Sequence, residues 1–242
     1  MVGTRSNPKI IGILGGMGPL ATIELERRIV LYNTEARKDQ DHVPMIVIND
    51  PRVPDRTAYI LGEGPDPRPK LIEGLRKLEA CGVDMIFIPC NTAHAFYDDL
   101  RRATKLPIYH MPYRAIQEAS KLGKRIFLLA TLGTYLADVY GKTASRIGGV
   151  EILYPPNNVR ELVMDVIYGG VKSGRDVPEE NIKNIVSLLK DVEVIILGCT
   201  ELSVLKEKFK KYVSVIDPLD VAAYDAIKFS RGEISEKELI LK

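Results

Sequence analysis

The fold turns on the stretch Val83-Asp84-Met85-Ile86-Phe87-Ile88-Pro89-Cys90-Asn91-Thr92-Ala93-His94. A continuous apolar run stops there at a cysteine, and amide, hydroxyl and imidazole side chains follow. An apolar run of this length without strict alternation reads as a strand buried on both faces. The polar residues after it mark the carboxyl end of that strand and the start of the next turn. Downstream, Val192-Glu193-Val194-Ile195-Ile196-Leu197-Gly198-Cys199-Thr200-Glu201 has the same layout.

Similar runs rich in β-branched and aliphatic residues occur at Ile10 to Leu14, Met45 to Ile48, Pro107 to Tyr109, Arg125 to Ala130, Val150 to Tyr154 and Val213 to Ile216. Helical patterns separate them, at Leu20 to Glu35, Arg68 to Glu79, Ala95 to Ala103, Ala115 to Leu122, Leu136 to Ile147, Val159 to Val171 and Glu179 to Leu189. Strand alternating with helix predicts parallel sheets covered on both faces. The pattern also occurs twice. A strand ending in Leu14-Gly15-Gly16-Met17-Gly18 precedes the Cys90 strand, and one ending in Leu129-Ala130-Thr131-Leu132-Gly133-Thr134 precedes the Cys199 strand. The spacing within each pair, about 70 residues, suits a duplicated α/β domain rather than a solenoid repeat. The expected division is a first α/β domain of residues 1–111 plus 218–242 and a second of residues 112–217. The seam falls near Tyr109 to Tyr113, bracketed by Pro107 and Pro112, and the last helices return to the first half.

Composition narrows the function classes. The formal charge is +2, and no Lys/Arg stripe is interleaved with aromatics, so nucleic acid is not expected as a partner. No run reaches the roughly 18 apolar residues of a membrane span. The polar Gly3 to Pro8 does not read as a signal peptide, so a cytoplasmic location is expected. Three cysteines, Cys81, Cys90 and Cys199, are too few for a disulfide framework and lack metal-ligand spacing. Gly16-Met17-Gly18-Pro19-Leu20-Ala21 fits the dinucleotide fingerprint in its Gly/Ala form, but the acidic residue it calls for, Asp50, arrives too late.

The thiols then carry the chemical argument. The carboxyl edge of an open α/β sheet is where ligands bind. Helix starts there are expected to favour a thiolate, lowering a cysteine pKa from about 8.5 toward neutrality. A lone cysteine at a strand end reads as a small buried hydrophobe. Two at matching places of two repeats read as a functional pair. Cys81, at a helix end beside Gly82, has no such partner. Asn91, Thr92 and Thr200 place amide and hydroxyl groups beside the thiols, suited to capping helices and to gripping a carboxylate. Arg56 and Lys172 read as solvated charges from the sequence alone.

With these residues in hand, the sequence resembles the aspartate/glutamate racemase family, and within it the aspartate racemases. The resemblance runs through Ile11-Gly12-Ile13-Leu14-Gly15-Gly16-Met17-Gly18-Pro19-Leu20-Ala21-Thr22, Pro54-Asp55-Arg56-Thr57-Ala58, Pro89-Cys90-Asn91-Thr92-Ala93-His94, Leu129-Ala130-Thr131 and Gly198-Cys199-Thr200-Glu201. It implies two Rossmann-like α/β domains related by a pseudo-twofold axis, with the active site in the cleft between them. It implies a homodimer, an acidic amino-acid substrate, and no pyridoxal phosphate or metal. Cys90 and Cys199 would be the acid/base catalysts, Cys199 facing the L-enantiomer and Cys90 the D-enantiomer. Met17, Asn91, Thr92, Thr131 and Thr200 would hold the substrate, and Arg56 and Lys172 would recognise its side-chain carboxylate. Glutamate, a hydantoin or a small dicarboxylate such as maleate is the alternative substrate, and a non-catalytic amino-acid-binding protein the alternative class. His94 and Glu201 are candidates to relay protons, with a structural place on the first helical turn the other reading of His94. The chain departs from its relatives at Tyr109-His110-Met111-Pro112-Tyr113-Arg114, where a small or acidic residue and a Glu-containing helix start are common.

Overall fold

The computed structural model describes residues 7–241. The outermost residues of the expected first domain, and most of Gly3 to Pro8, lie outside the described residues. In chain order the strands are β1 (Ile11–Gly15), β2 (Met45–Asn49), β3 (Met85–Phe87), β4 (Arg125–Ala130), β5 (Glu151–Leu153), β6 (Val194–Gly198) and β7 (Ser214–Ile216). They form two all-parallel sheets, ordered β2-β1-β3 and β5-β4-β6-β7. In each sheet the strand that opens the sequence repeat is flanked by the next two, so the duplication read from the sequence is present in the topology. β1, β3 and β6 are buried throughout, which is why their sequences are apolar without alternation.

The helices are α1 (Pro19–Tyr32), α2 (Arg56–Ile60), α3 (Arg68–Ala80), α4 (Tyr97–Ala103), α5 (Met111–Ala119), α6 (Leu132–Leu136), α7 (Val139–Ile147), α8 (Asn157–Met164), α9 (Glu179–Ser187), α10 (Lys206–Lys210), α11 (Pro218–Ser230) and α12 (Glu236–Leu239). Around the first sheet, Leu25 and Ile29 of α1 pack with Leu219, Ala222, Ala223 and Ala226 of α11 on one face, and Leu71, Leu75 and Leu78 of α3 cover the other. The second sheet is covered by α8 and α9 on one face and by α5 and α7 on the other.

Several expected elements differ in detail. The run Pro107 to Tyr109 is no full strand and makes a single bridge, Ile86 to Ile108. The helix expected from Ala115 begins at Met111, because His110 is its N-cap and accepts the Tyr113 N–H. The expected helix Leu136 to Ile147 is broken at Asp138, whose φ of 53° is left-handed. The pattern at Val159 to Val171 is not one regular α-helix: α8 widens to a π-helical turn at Asp165–Gly170. The residues that depart from the relatives form a buried tie to α11. Tyr109 Oη and Arg114 Nε both donate to Asp225 Oδ2, at 3.0 and 2.7 Å.

Candidate active site

All nine residues expected at the site line one cavity between the carboxyl edges of the two sheets: Met17, Arg56, Cys90, Asn91, Thr92, Thr131, Lys172, Cys199 and Thr200. Asp55, Thr57, Tyr168 and Glu201 complete the lining. One cysteine comes from each repeat, Cys199 directly after β6 and Cys90 three residues after β3. Both are buried, whereas Cys81 at the end of α3 is exposed. The free volume is about 10 Å³, the room one water needs.

The loop after β1 is shaped for this cavity rather than for a dinucleotide. Gly16 has a φ of +94°, and a Cβ there would lie 2.1 Å from the Asp50 carbonyl oxygen. The Gly16 N–H donates to Thr22 Oγ1 at 2.9 Å. The Asp50 backbone fills the concavity, and the Gly16 N–H that would cradle a pyrophosphate is already used. The same loop is braced by Arg56, which donates to the Met17 carbonyl, and Met17 lines the cavity with both thiols.

Arg56 is 7% exposed, so it is not the solvated charge its sequence context suggests. Nη1 donates to the Pro54 carbonyl at 3.0 Å and Nη2 to the Met17 carbonyl at 3.0 Å, while Nε is buried without a partner. Burial works to lower the Arg56 pKa, but Cys90, Asp55 and Glu201 outweigh it and raise the value above the usual guanidinium range. Arg56 is therefore the cation beside Cys90. Lys172 belongs to the other half, follows the π-helical turn and stacks its ammonium 4.3 Å from the Tyr168 ring centre. Burial opposes its charge, yet Glu201, 3.8 Å away, Tyr168 and Cys199 raise its pKa overall.

The surroundings of Cys199 differ from those of Cys90. The Cys199 thiol donates to Glu201 Oε2 at 2.9 Å. Burial first, and the Glu201 carboxylate second, push this thiol well above its usual pKa. The expected lowering by a helix start does not hold for Cys199. Only a short 3-10 turn, Leu202–Leu205, follows it, too brief to set up a strong dipole. The expected capping by Asn91, Thr92 or Thr200 is likewise absent. The turn after Asn91 has no side-chain cap, and the hydroxyls are used elsewhere. Thr92 Oγ1 lies 3.0 Å from Thr131 Oγ1 and 2.9 Å from Thr134 Oγ1, joining the two halves, and the Thr200 hydroxyl donates to Glu201. Thr131 caps α6 by accepting the Thr134 N–H.

His94 stands behind Cys90 rather than in the cavity. Its Nε2 accepts the Met111 N–H at 3.2 Å, which leaves the proton on Nδ1 to donate to the Cys90 carbonyl at 2.9 Å. Burial holds its pKa down at about 4, so at neutral pH it is an uncharged brace on the backbone of the cysteine. The cavity contains two buried donors without partners, Arg56 Nε and Asn91 Nδ2. Leaving such a group unpaired costs about 1–3 kcal/mol, which an anionic ligand recovers. Cations, orphan donors and two thiols together suit a carboxylate whose neighbouring carbon exchanges a proton. Among the described residues, no three His, Cys, Asp or Glu side chains are grouped to hold a metal, and no helix is long and apolar enough to cross a membrane.

Three of the lining residues, Asp55, Thr57 and Tyr168, are ones the sequence did not single out. Asp55 and Thr57 lie inside the quoted stretch Pro54 to Ala58 and Tyr168 inside the helical pattern Val159 to Val171, where each reads as structural. Glu201, a candidate proton relay in the sequence, is tied to the Cys199 thiol in the structure.

Comparison with known proteins gives the family and the fold. The chain is similar to the Picrophilus torridus aspartate racemase, with 31% identity, a TM-score of 0.81, and 96% of this chain and 97% of that chain covered. An aspartate racemase homologue from Pyrococcus horikoshii OT3 superposes with a TM-score of 0.73 at 26% identity, over 92% of this chain and 99% of that one. The broad specificity amino-acid racemase RacX of Bacillus subtilis (strain 168) is 26% identical over 216 residues, 86% of this chain and 92% of that protein. The profile of the Asp/Glu/hydantoin racemases takes in residues 14–226, and the chain belongs to that family.

Proposed function

We propose that this chain interconverts L- and D-aspartate without pyridoxal phosphate or metal, by a two-base mechanism in which Cys90 and Cys199 exchange the α-proton. The observation that carries the reading is the placement of one buried thiol from each repeat in a single cavity with two orphan donors. Inversion at carbon requires a base on one face and an acid on the other, and a duplicated fold provides that opposition. One cysteine acts as thiolate and takes the α-proton; the opposite thiol delivers its proton to the other face. The turnover ends with the two protonation states exchanged, ready for the reverse direction.

The α-proton is weakly acidic, so charge that develops on the α-carboxylate must meet fixed donors. Asn91 Nδ2 and the hydroxyls of Thr92 and Thr200 suit that task, while Lys172 and the Arg56 side favour a second carboxylate. Arg56 places a positive charge beside Cys90. Glu201, bonded to Cys199, supports the thiol. In the direction that starts from the enantiomer presented to Cys90, assigned as D, Cys199 serves as the acid. The expected assembly is a homodimer.

Aspartate is favoured by the likeness to an aspartate racemase at 31% identity and to an aspartate racemase homologue at 26%. A broader amino-acid range is the second reading, favoured by the RacX likeness along nearly its whole length. The test is to incubate the purified protein with L-aspartate, L-glutamate and a panel of neutral L-amino acids, with no pyridoxal phosphate, and to resolve the enantiomers chromatographically. D-Aspartate as the main product supports the proposal. Equal rates across the panel would favour the broad reading, and no D-amino acid at all would refute both.

A further inference from the structure

We propose that Tyr140 is a positioning residue of the racemase site, its hydroxyl setting the orientation of the Asn91 amide so that the amide NH2 faces the substrate carboxylate. This rests on the two-cysteine reading above. Tyr140 lies on α7, packed against the second sheet, and is 0% exposed. Its hydroxyl reaches across to the first half and lies 2.5 Å from Asn91 Oδ1.

An amide can be turned either way, and the chemistry of the pair decides which. Among the described residues the Tyr140 hydroxyl has no other acceptor. A buried hydroxyl that keeps its proton therefore donates to an oxygen, and the amide oxygen is the one it meets. Burial foremost, then the charges of Asp217 and Cys199, raise the pKa of Tyr140 and keep that proton in place. The opposite end of the amide, Nδ2, is then committed to the side away from Tyr140. It is buried and has no partner in a residue that lines the cavity with both thiols.

A reversed amide would present its oxygen to an anion and repel it. A freely turning amide would have to be ordered in each turnover, which weakens both binding and transition-state stabilisation. The bond also spans the two halves, so closure of the cavity and alignment of the donor occur together. On its helix Tyr140 reads as an ordinary core aromatic, because the partner that gives it a role is 49 residues away.

The test is Tyr140→Phe, which keeps the ring and removes only the hydroxyl. For racemisation in both directions, kcat/KM should fall at least tenfold, with most of the loss in kcat, because the carboxylate charge grows in the transition state. The pH limbs of the rate profile should stay where they are, since neither thiol is altered. Asn91→Ala should show a similar loss, and the double variant should lose no more than the worse single one. A Tyr140→Phe rate within twofold of the parent, or losses that multiply in the double variant, would overturn the proposal. Should the parent fail to racemise any amino acid, the functional reading fails, and calorimetric titration with succinate still decides the role of Tyr140. Binding two- to fourfold weaker in Tyr140→Phe than in the parent, the smaller loss expected of a ground-state dicarboxylate, supports it. Equal binding, or none to the parent, overturns it.

Discussion

Cys90 and Cys199 are equivalent in the sequence repeat and unequal in their surroundings. Cys90 faces the buried Arg56, and Cys199 donates to Glu201. The inequality yields a test at the level of one atom. Glu201→Gln removes the carboxylate charge that helps to raise the Cys199 thiol, so the thiol should ionise at lower pH. In the direction that uses Cys199 as base, the rise of kcat/KM with pH should shift to lower pH, while the direction that uses Cys90 shifts less. Equal shifts of both limbs, or none, would contradict the assignment of Glu201 to Cys199. How much of the site was legible follows from the kind of signal each residue emits. Cys90, Asn91, Thr92, Thr131, Cys199 and Thr200 stand in short motifs at strand ends, and their joint arrival in one cavity follows from the duplication. Arg56 beside Asp55 looks like a surface ion pair in a sequence, because nothing local records that its Nη atoms will be taken up by the Pro54 and Met17 carbonyls. Tyr140 depends on a bond that forms only when the chain folds, whereas Glu201 was marked by its place beside Thr200 and only its partner thiol was not.

At the scale of elements, α1 and α11 are held together by an ion network as well as by apolar packing. Arg28 of α1 donates to Asp217 Oδ2 at 2.5 Å and to Asp220 Oδ1 at 2.8 Å, and its side chain is 2% exposed beside a fully buried Asp217. Removing one member of a buried pair strands the other, so Arg28→Ala should cost about 3–5 kcal/mol in urea unfolding. A loss below about 1 kcal/mol would show that Asp217 finds another way to shed its charge. The His94 brace makes a separate, pH-dependent contribution. Its folded pKa, about 4, lies below the ordinary value near 6.5, so the unfolded chain binds the proton more readily. The stability it contributes is present above pH 6.5 and is lost as pH falls toward 4, up to about 3 kcal/mol. Compared with His94→Gln, which has no imidazole to titrate, the parent should lose about that much more stability between pH 7 and pH 4. Parallel curves for the two proteins would refute a buried neutral His94. The strands were legible because continuous apolar runs have few other places to go in a covered parallel sheet. Helix limits were less so: the His110 cap, the left-handed Asp138 and the π-helical turn at Asp165–Gly170 are set by packing and capping rather than by apolar period.

For the whole molecule, the decisive quantity is the size of the closed cavity, which has room for about one water and none for an amino acid. The halves must part to admit a ligand and come together over it. Gly133 of α6 marks the contact, since a Cβ there would lie 2.8 Å from the Thr57 Cα on the opposite half. Gly133→Ala should hold the halves apart and raise KM several-fold for both enantiomers, with little change in Tm; an unchanged KM would place the hinge motion elsewhere. The twofold layout was legible from the repeat of strand, turn and cysteine, whereas the closeness of the halves was not, because no sequence pattern records that Gly133 will meet Thr57 or that Thr92 will meet Thr131 and Thr134. The central claim is that two thiols on opposite faces share one proton exchange. Its most direct test is racemisation of protiated L-aspartate in deuterated water, sampled before a tenth of it has reacted. The two-base account predicts that the D-aspartate formed carries deuterium at the α-carbon while the remaining L-aspartate keeps its protium. Protium retained in the product, or deuterium entering the L-aspartate as fast as D-aspartate forms, would contradict it.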